Sequence, residues 1–145
     1  LRREGLAGVV SFSDPSPRLR ADGTIGFKGH IGTIYQGFNG RYTGRGTART
    51  LKLLPDGTVL SDRALQKIRK QERGWRYAVA QLVAAGAPLF IDGDDPLVWL
   101  HRNVLEVCRN FRHRGNHRYV WGLAKSVTRQ LAPSLPFPVA PEILV

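Results

Sequence analysis

The sequence predicts an α+β domain, and three observations predict it. Short apolar runs closed by turn residues stand at 6–12, 51–60 and 117–123; apolar residues at helical spacing concentrate between Ser61 and Phe111; and the composition suits one core. The chain has 145 residues, 42% of them hydrophobic and 23% charged, which is enough for one ordinary core and unlike a disordered chain. We therefore expect a single domain over 1–145 with a mixed sheet and a helical insertion at about 61–111. The chain contains no Met and opens on the lead-in to a strand, so we expect an N-terminal part upstream of Leu1 to be missing.

Each element has a local reason. Leu6–Phe12 is a mostly apolar strand halted by Ser13-Asp14-Pro15, which would leave Asp14 projecting from the sheet edge. The stretch 15–29, rich in Gly, Pro, Ser and Arg, reads as a loop with an extended piece around Ile25 and Phe27. Ile31, Ile34, Tyr35 and Phe38 recur at i, i+3, i+4 and i+7, one apolar helical face that puts Tyr35 on the buried or cleft-facing side. Asn39-Gly40 ends that helix, and Arg41-Tyr42-Thr43 begins an extended segment broken at Gly44-Arg45-Gly46.

Leu51–Leu54 and Thr58–Leu60 flank Pro55-Asp56-Gly57, a strand, turn and strand. Ser61 or Asp62 caps a helix carrying Leu65, Ile68, Trp75, Val79 and Leu82, either continuous or broken at Gly74. Gly86-Ala87-Pro88 stops it, and Leu89-Phe90-Ile91 is a short strand or a buried connector. Asp94-Asp95-Pro96 opens a further helix with Leu97, Leu100, Val104, Val107, Cys108 and Phe111 on one face. A basic loop at 112–116, a strand at 117–123, a short helix at 124–131 and an extended, proline-fixed tail at 134–138 complete the chain.

Charge narrows the function classes. Lys and Arg number 22 against 11 Asp and Glu, a net +11 that favours a polyanionic partner, most often nucleic acid. No apolar run approaches the roughly 18 residues that span a bilayer, and Leu1-Arg2-Arg3-Glu4-Gly5 lacks the apolar stretch of a secretory signal, so we expect no membrane partner and a cytoplasmic setting. The single Cys108 allows no internal disulfide. The cations gather around Arg41, Arg45, Arg49 and Lys52, along 63–76, and at Arg109, Arg112, Arg114 and Arg118. Converging on one face they would hold phosphates, with Trp75, Tyr77 or Trp121 placed to stack on a base. Neither of two candidate clusters is expected to hold a metal, and the metal requirement stays open: a glycine between His113 and His117 breaks the helix that would align them, and helix capping accounts for Asp92, Asp94 and Asp95.

Two motifs bear on chemistry. Arg41-Tyr42-Thr43-Gly44-Arg45-Gly46 fits the R-x-x-G-x-G pyrophosphate loop of acyl-coenzyme A binding acetyltransferases, but the residues after it read as a strand and turn, whereas such a loop works at a helix start. The blocks Ser11-Phe12-Ser13-Asp14, then 29–36 (Gly-His-Ile-Gly-Thr-Ile-Tyr-Gln), then Asn39 and Tyr42-Thr43-Gly44, resemble DNA-modification proteins of the phage Mu Mom type, with the pattern S-Y-A-D, G-H-x-G-x-I-Y-Q-A, N, Y-x-G. His117–Trp121 and Leu135-Pro136-Phe137-Pro138 look like that group's closing strand and tail, so the likeness covers about half of the chain.

The resemblance implies the second half of a GNAT acyltransferase fold and a transferase acting on the exocyclic N6 of adenine in phage DNA, giving an acetamido-type derivative. It implies Asp14 as acceptor for the amino group, Tyr35 as acid or oxyanion donor, and His30 as a relay or metal ligand. Gln36 and Asn39 would face a small-molecule donor, acetyl-CoA or another acyl carrier, and Arg41, Arg45, Arg49, Arg112, Arg114 and Arg118 would hold the DNA. Two rivals stand beside it: a non-catalytic nucleic-acid-binding module, with Asp14 a turn former and Tyr35 a core residue, and a GNAT acetyltransferase acting on another amine.

Overall fold

A computed structural model describes residues 5–140. The elements run β1 (Gly8–Ser13), β2 (Arg18–Leu19), β3 (Ile25–Phe27), α1 (Thr33–Gly37), β4 (Arg41–Arg45), β5 (Arg49–Leu53), β6 (Val59–Leu60), α2 (Asp62–Lys70), α3 (Trp75–Ala84), α4 (Pro96–Val107), β7 (Arg109–His113), β8 (His117–Gly122) and α5 (Lys125–Gln130). The mixture of helices with small antiparallel sheets makes the chain α+β. In place of one mixed sheet, the described residues form two three-stranded sheets and one two-stranded ribbon. The chain forms two compact units, the first from Leu1–Ser16, Lys28–Arg49 and Arg114–Val145, the second from Pro17–Phe27 and Thr50–His113.

The first unit is built on the antiparallel sheet β1-β8-β4. Phe12 pairs with Arg118 and Val10 with Val120, while Ser13 pairs with His117 and Ser11 with Tyr119. Because side chains alternate along a strand, the first two pairs share one face and the second two the other. Ser13, His117, Tyr119 and Tyr42 are buried, whereas Val10 and Phe12 are exposed. The buried face is covered by Tyr35, whose ring lies 5.5 Å from that of Tyr119 and 5.8 Å from that of Trp121, and by Phe137, 6.4 Å from Tyr119. The extended tail docks on the free edge of β4: the Leu135 N–H donates to the Tyr42 carbonyl at 2.9 Å, and the Tyr42 N–H donates to Ser134 Oγ at 3.0 Å.

The helix expected from Ile31 to Phe38 is only one turn and a half. Gly32 sits at its N-cap with φ 86°, and the chain turns left-handed again at Asn39 with φ 57°. The apolar face does not pack as its spacing predicts: Ile34 is 62% and Phe38 69% exposed, and only the Tyr35 side reaches the sheet. Gly32 allows the close approach, since a Cβ there would lie 2.6 Å from Tyr119 Cε2 and 2.9 Å from Ser13 Oγ.

The second unit holds the main apolar core. Leu60, Leu65, Ile68, Leu82, Trp99 and Leu100 pack together, with Trp75 and Phe90 against them. Ser61 caps α2, its Oγ accepting from the Ala64 N–H, and the helical stretch breaks into α2 and α3 at Gln71 and Gly74, both at positive φ. The Asp56 carboxylate accepts from the Thr58 N–H and hydroxyl, fixing the turn between β5 and β6. Asp95 caps α4 with Pro96 in its first turn, and the residues before it, 89–91, form a connector.

Two expectations fail here. Helix α4 ends at Val107, so Phe111 leaves its face, and the expected basic loop is in part strand β7. Its alternation is disguised by polar residues: Phe111 and His113 turn inward while Asn110 and Arg112 face solvent, and Arg109, on the inward parity, is exposed at the strand's start.

Candidate functional site

Asp14 directly follows the last residue of β1. Its carboxylate accepts from the Ser16 N–H at 3.0 Å, an Asx turn that lets the chain leave the sheet ahead of Pro15 and Pro17. Its carbonyl accepts from the His30 N–H at 2.7 Å, so the residue that opens the α1 segment is pinned to the end of β1. The His30 side chain is exposed. Tyr35 joins the same strand end from the buried face of the sheet: its hydroxyl donates to the Phe12 carbonyl at 3.4 Å, two residues before Asp14. Asp14, His30 and Tyr35 thus meet at one strand end, His30 through its backbone N–H and Tyr35 through its side-chain hydroxyl, each on a backbone carbonyl.

Gln36 faces inward. Its Nε2 donates to the Tyr119 hydroxyl at 3.0 Å and to the Pro138 carbonyl at 3.5 Å, and the Tyr119 hydroxyl donates to the Ile31 carbonyl at 2.6 Å. Asn39 is an exposed, left-handed turn residue. Arg41–Gly46 forms strand β4 and its exit, followed by β5, so it presents no row of backbone N–H groups at a helix start. Gln36 is thus engaged in internal hydrogen bonds, while Asn39 is open to solvent.

The cations divide. Arg41 donates from Nη1 to the Leu131 and Ala132 carbonyls at 2.6 and 3.1 Å, which holds the end of α5. Arg118 Nε donates to Thr43 Oγ1 at 2.7 Å, fixing an exposed guanidinium beside Phe12. Arg45, Arg49 and Arg114 are exposed in the same unit, whereas Arg112 and the cations of α2 belong to the other unit. Among the aromatics expected to stack on a base, Trp75 and Trp121 are engaged with Phe90 and Tyr35, and Tyr77 is exposed.

A buried polar pair lies outside the site residues that the resemblance implies. Tyr42 Oη lies 2.8 Å from His117 Nδ1, both side chains being buried. Burial pushes the Tyr42 phenol above its ordinary range despite the opposing pull of Arg45, and burial together with the Arg45 charge lowers the His117 imidazole. Alternation along 117–121 places His117 on the face of Tyr119 and Trp121, a signal that the motif comparison passes over. Among the described residues, no group of three or more His, Cys, Asp or Glu is arranged to hold a metal ion, and no helix is long and apolar enough to cross a membrane. No protein-family model matches the chain, and neither curated proteins nor solved structures include one that matches it.

Proposed function

We propose that the protein is a DNA-modifying transferase acting on the N6 amino group of adenine, the reaction that its Mom-type blocks imply. One observation carries the reading. The two blocks of that resemblance, 11–14 and 29–36, meet at one strand end through the His30–Asp14 and Tyr35–Phe12 hydrogen bonds. Arg45, Arg49, Arg114 and Arg118 supply exposed positive charge in the same unit.

Adenine N6 is a weak nucleophile because its lone pair is delocalised into the ring, so the site must hold it in place and accept the proton it gives up. The base must also leave the duplex to be reached. Asp14 is the group in this reading that accepts from N6–H; Tyr35 is the group that donates a proton or hydrogen bond. The GNAT relationship and an acyl-carrier donor facing Gln36 and Asn39 belong to the same proposal.

The test is mass spectrometry of nucleosides from the DNA of cells expressing the protein. A new adenine adduct, absent with Asp14→Asn and with Tyr35→Phe, is the expected result; unmodified DNA from cells holding folded protein overturns the reading. One observation favours a second reading, a non-catalytic nucleic-acid-binding module: the Asp14 carboxylate already serves the Ser16 turn. DNA binding without any adduct would establish it.

A further inference from the structure

At the end of the first unit's sheet lies a cavity of about 460 Å³ lined by Phe12, Gly46, Thr47, Arg49 and Asn116. Its wall is rigidly built. The Gly46 N–H donates to the Asn116 carbonyl at 2.8 Å, and Gly115, at φ 98°, packs so tightly on Gly46 that a side chain has no room there. Phe12 presents an aromatic ring that is 52% exposed on a sheet face where its cross-strand partner is a cation, Arg118, held in place by Thr43. Asn116 brings a second signal: its Oδ1 is buried and has no hydrogen-bond partner among the described residues. A buried acceptor without a donor is costly, and native proteins tolerate few.

These features match one kind of ligand. An aromatic side chain with arginines beside it is the usual platform for an unstacked base. An asparagine amide is complementary to adenine, accepting from N6–H and donating to N7. We propose that this cavity receives an extrahelical adenine, with Phe12 stacking on the base, Asn116 reading its N6–N7 edge and Arg49 on the flanking phosphate. The choice of adenine rests on the transferase reading above. Adenine N6 carries two hydrogens, so Asn116 can hold one while the other is replaced. Asp14 lies two residues beyond Phe12 on the same chain.

The test uses the full chain and single-stranded thymidine oligonucleotides with one central base varied. With 2-aminopurine at the centre, binding should quench its fluorescence through stacking. Phe12→Ala should lose the quenching and weaken binding about tenfold to a hundredfold, the range of base–aromatic stacking. Phe12→Trp should keep both, separating a stacking role from a structural one. An adenine-centred oligonucleotide should bind about tenfold tighter than one centred on purine, which lacks the amino group, and Asn116→Ala should abolish that preference.

Quenching and affinity unchanged in Phe12→Ala, or abolished equally in Phe12→Trp, would overturn the proposal, as would an adenine preference that survives Asn116→Ala. Nucleoside analysis of the same variants separates the two readings. An adduct formed at wild-type level by Phe12→Ala and Asn116→Ala sinks the pocket and leaves the transferase standing. The expected binding pattern without any adduct leaves the pocket standing and sinks the transferase.

Discussion

Tyr42 and His117 face each other inside the first unit, hydroxyl to Nδ1 at 2.8 Å, on neighbouring strands of one sheet. Their perturbations keep both partners uncharged. A phenol raised by burial stays protonated, and an imidazole lowered by burial and by Arg45 stays neutral, so the bond joins two uncharged groups and the imidazole tautomer sets which of them donates.

This pair predicts a pH dependence of stability. The folded His117 titrates below its unfolded value of 6.5, so between the two the unfolded chain binds more protons. The stabilisation is fully present above about pH 6.5 and is lost as pH falls through the lower, folded value. Thermal melts should show the midpoint declining on acidification from pH 7 to 5, and His117→Gln should flatten that dependence. A midpoint independent of pH over this window would refute the assignment. Tyr42→Phe leaves the buried His117 Nδ1 without its partner and should cost about 1–3 kcal/mol.

A paired glycine test follows from α1. Gly32 combines a left-handed φ of 86° with a would-be Cβ 2.6 Å from Tyr119, so Gly32→Ala incurs both backbone strain and overpacking, together about 2–5 kcal/mol. Gly37 is helical, and no described atom lies within 4 Å of the corresponding point, so Gly37→Ala should gain about 0.5–1 kcal/mol from helix propensity. Urea midpoints of the two variants should therefore move in opposite directions.

Helix caps give a control in the second unit. Ser61→Ala removes the acceptor for the Ala64 N–H and Asp95→Ala the acceptor for the Leu97 and Val98 N–H groups, each costing about 1 kcal/mol. Leu100→Ala, at a fully buried position, should cost more, about 2–5 kcal/mol. Equal losses at capping and core positions in urea denaturation would contradict the packing described.

These caps are legible in the sequence because their cause is local: Ser61 and Asp95-Pro96 announce helix starts by their own chemistry, and Asp56-Gly57 announces a turn. The strand at 117–122 is legible from its alternation. Strand β7 is not, because its outward positions are Asn110 and Arg112, and its inward parity begins with the exposed Arg109 before Phe111 and His113, a pattern that reads as a basic loop. Nor is the short reach of α1, since helical spacing marks a face without saying what lies opposite it; Ile34 and Phe38 meet solvent. A family likeness suggests the convergence of 11–14 with 29–36, whereas the cavity beside Asn116 has no local signal. It exists because Gly46 and Gly115, far apart in sequence, touch.

On the proposed nucleic-acid reading the arginines divide between binding and support, and salt supplies the measurement. Removing one cation that neutralises a phosphate should reduce the slope of log affinity against log salt by about 0.9 on duplex DNA or about 0.7 on a single strand. Arg49 lines the cavity and Arg118 is exposed beside Phe12, so Arg49→Ala and Arg118→Ala should each flatten the slope by that amount while leaving the melting midpoint nearly unchanged. Arg41 is committed to the Leu131 and Ala132 carbonyls. Arg41→Ala should instead lower the midpoint by loosening the end of α5, with no change in slope. A marked flattening in Arg41→Ala, with none in Arg49→Ala, would move the nucleic-acid surface to the opposite end of β4 from the one the cavity marks.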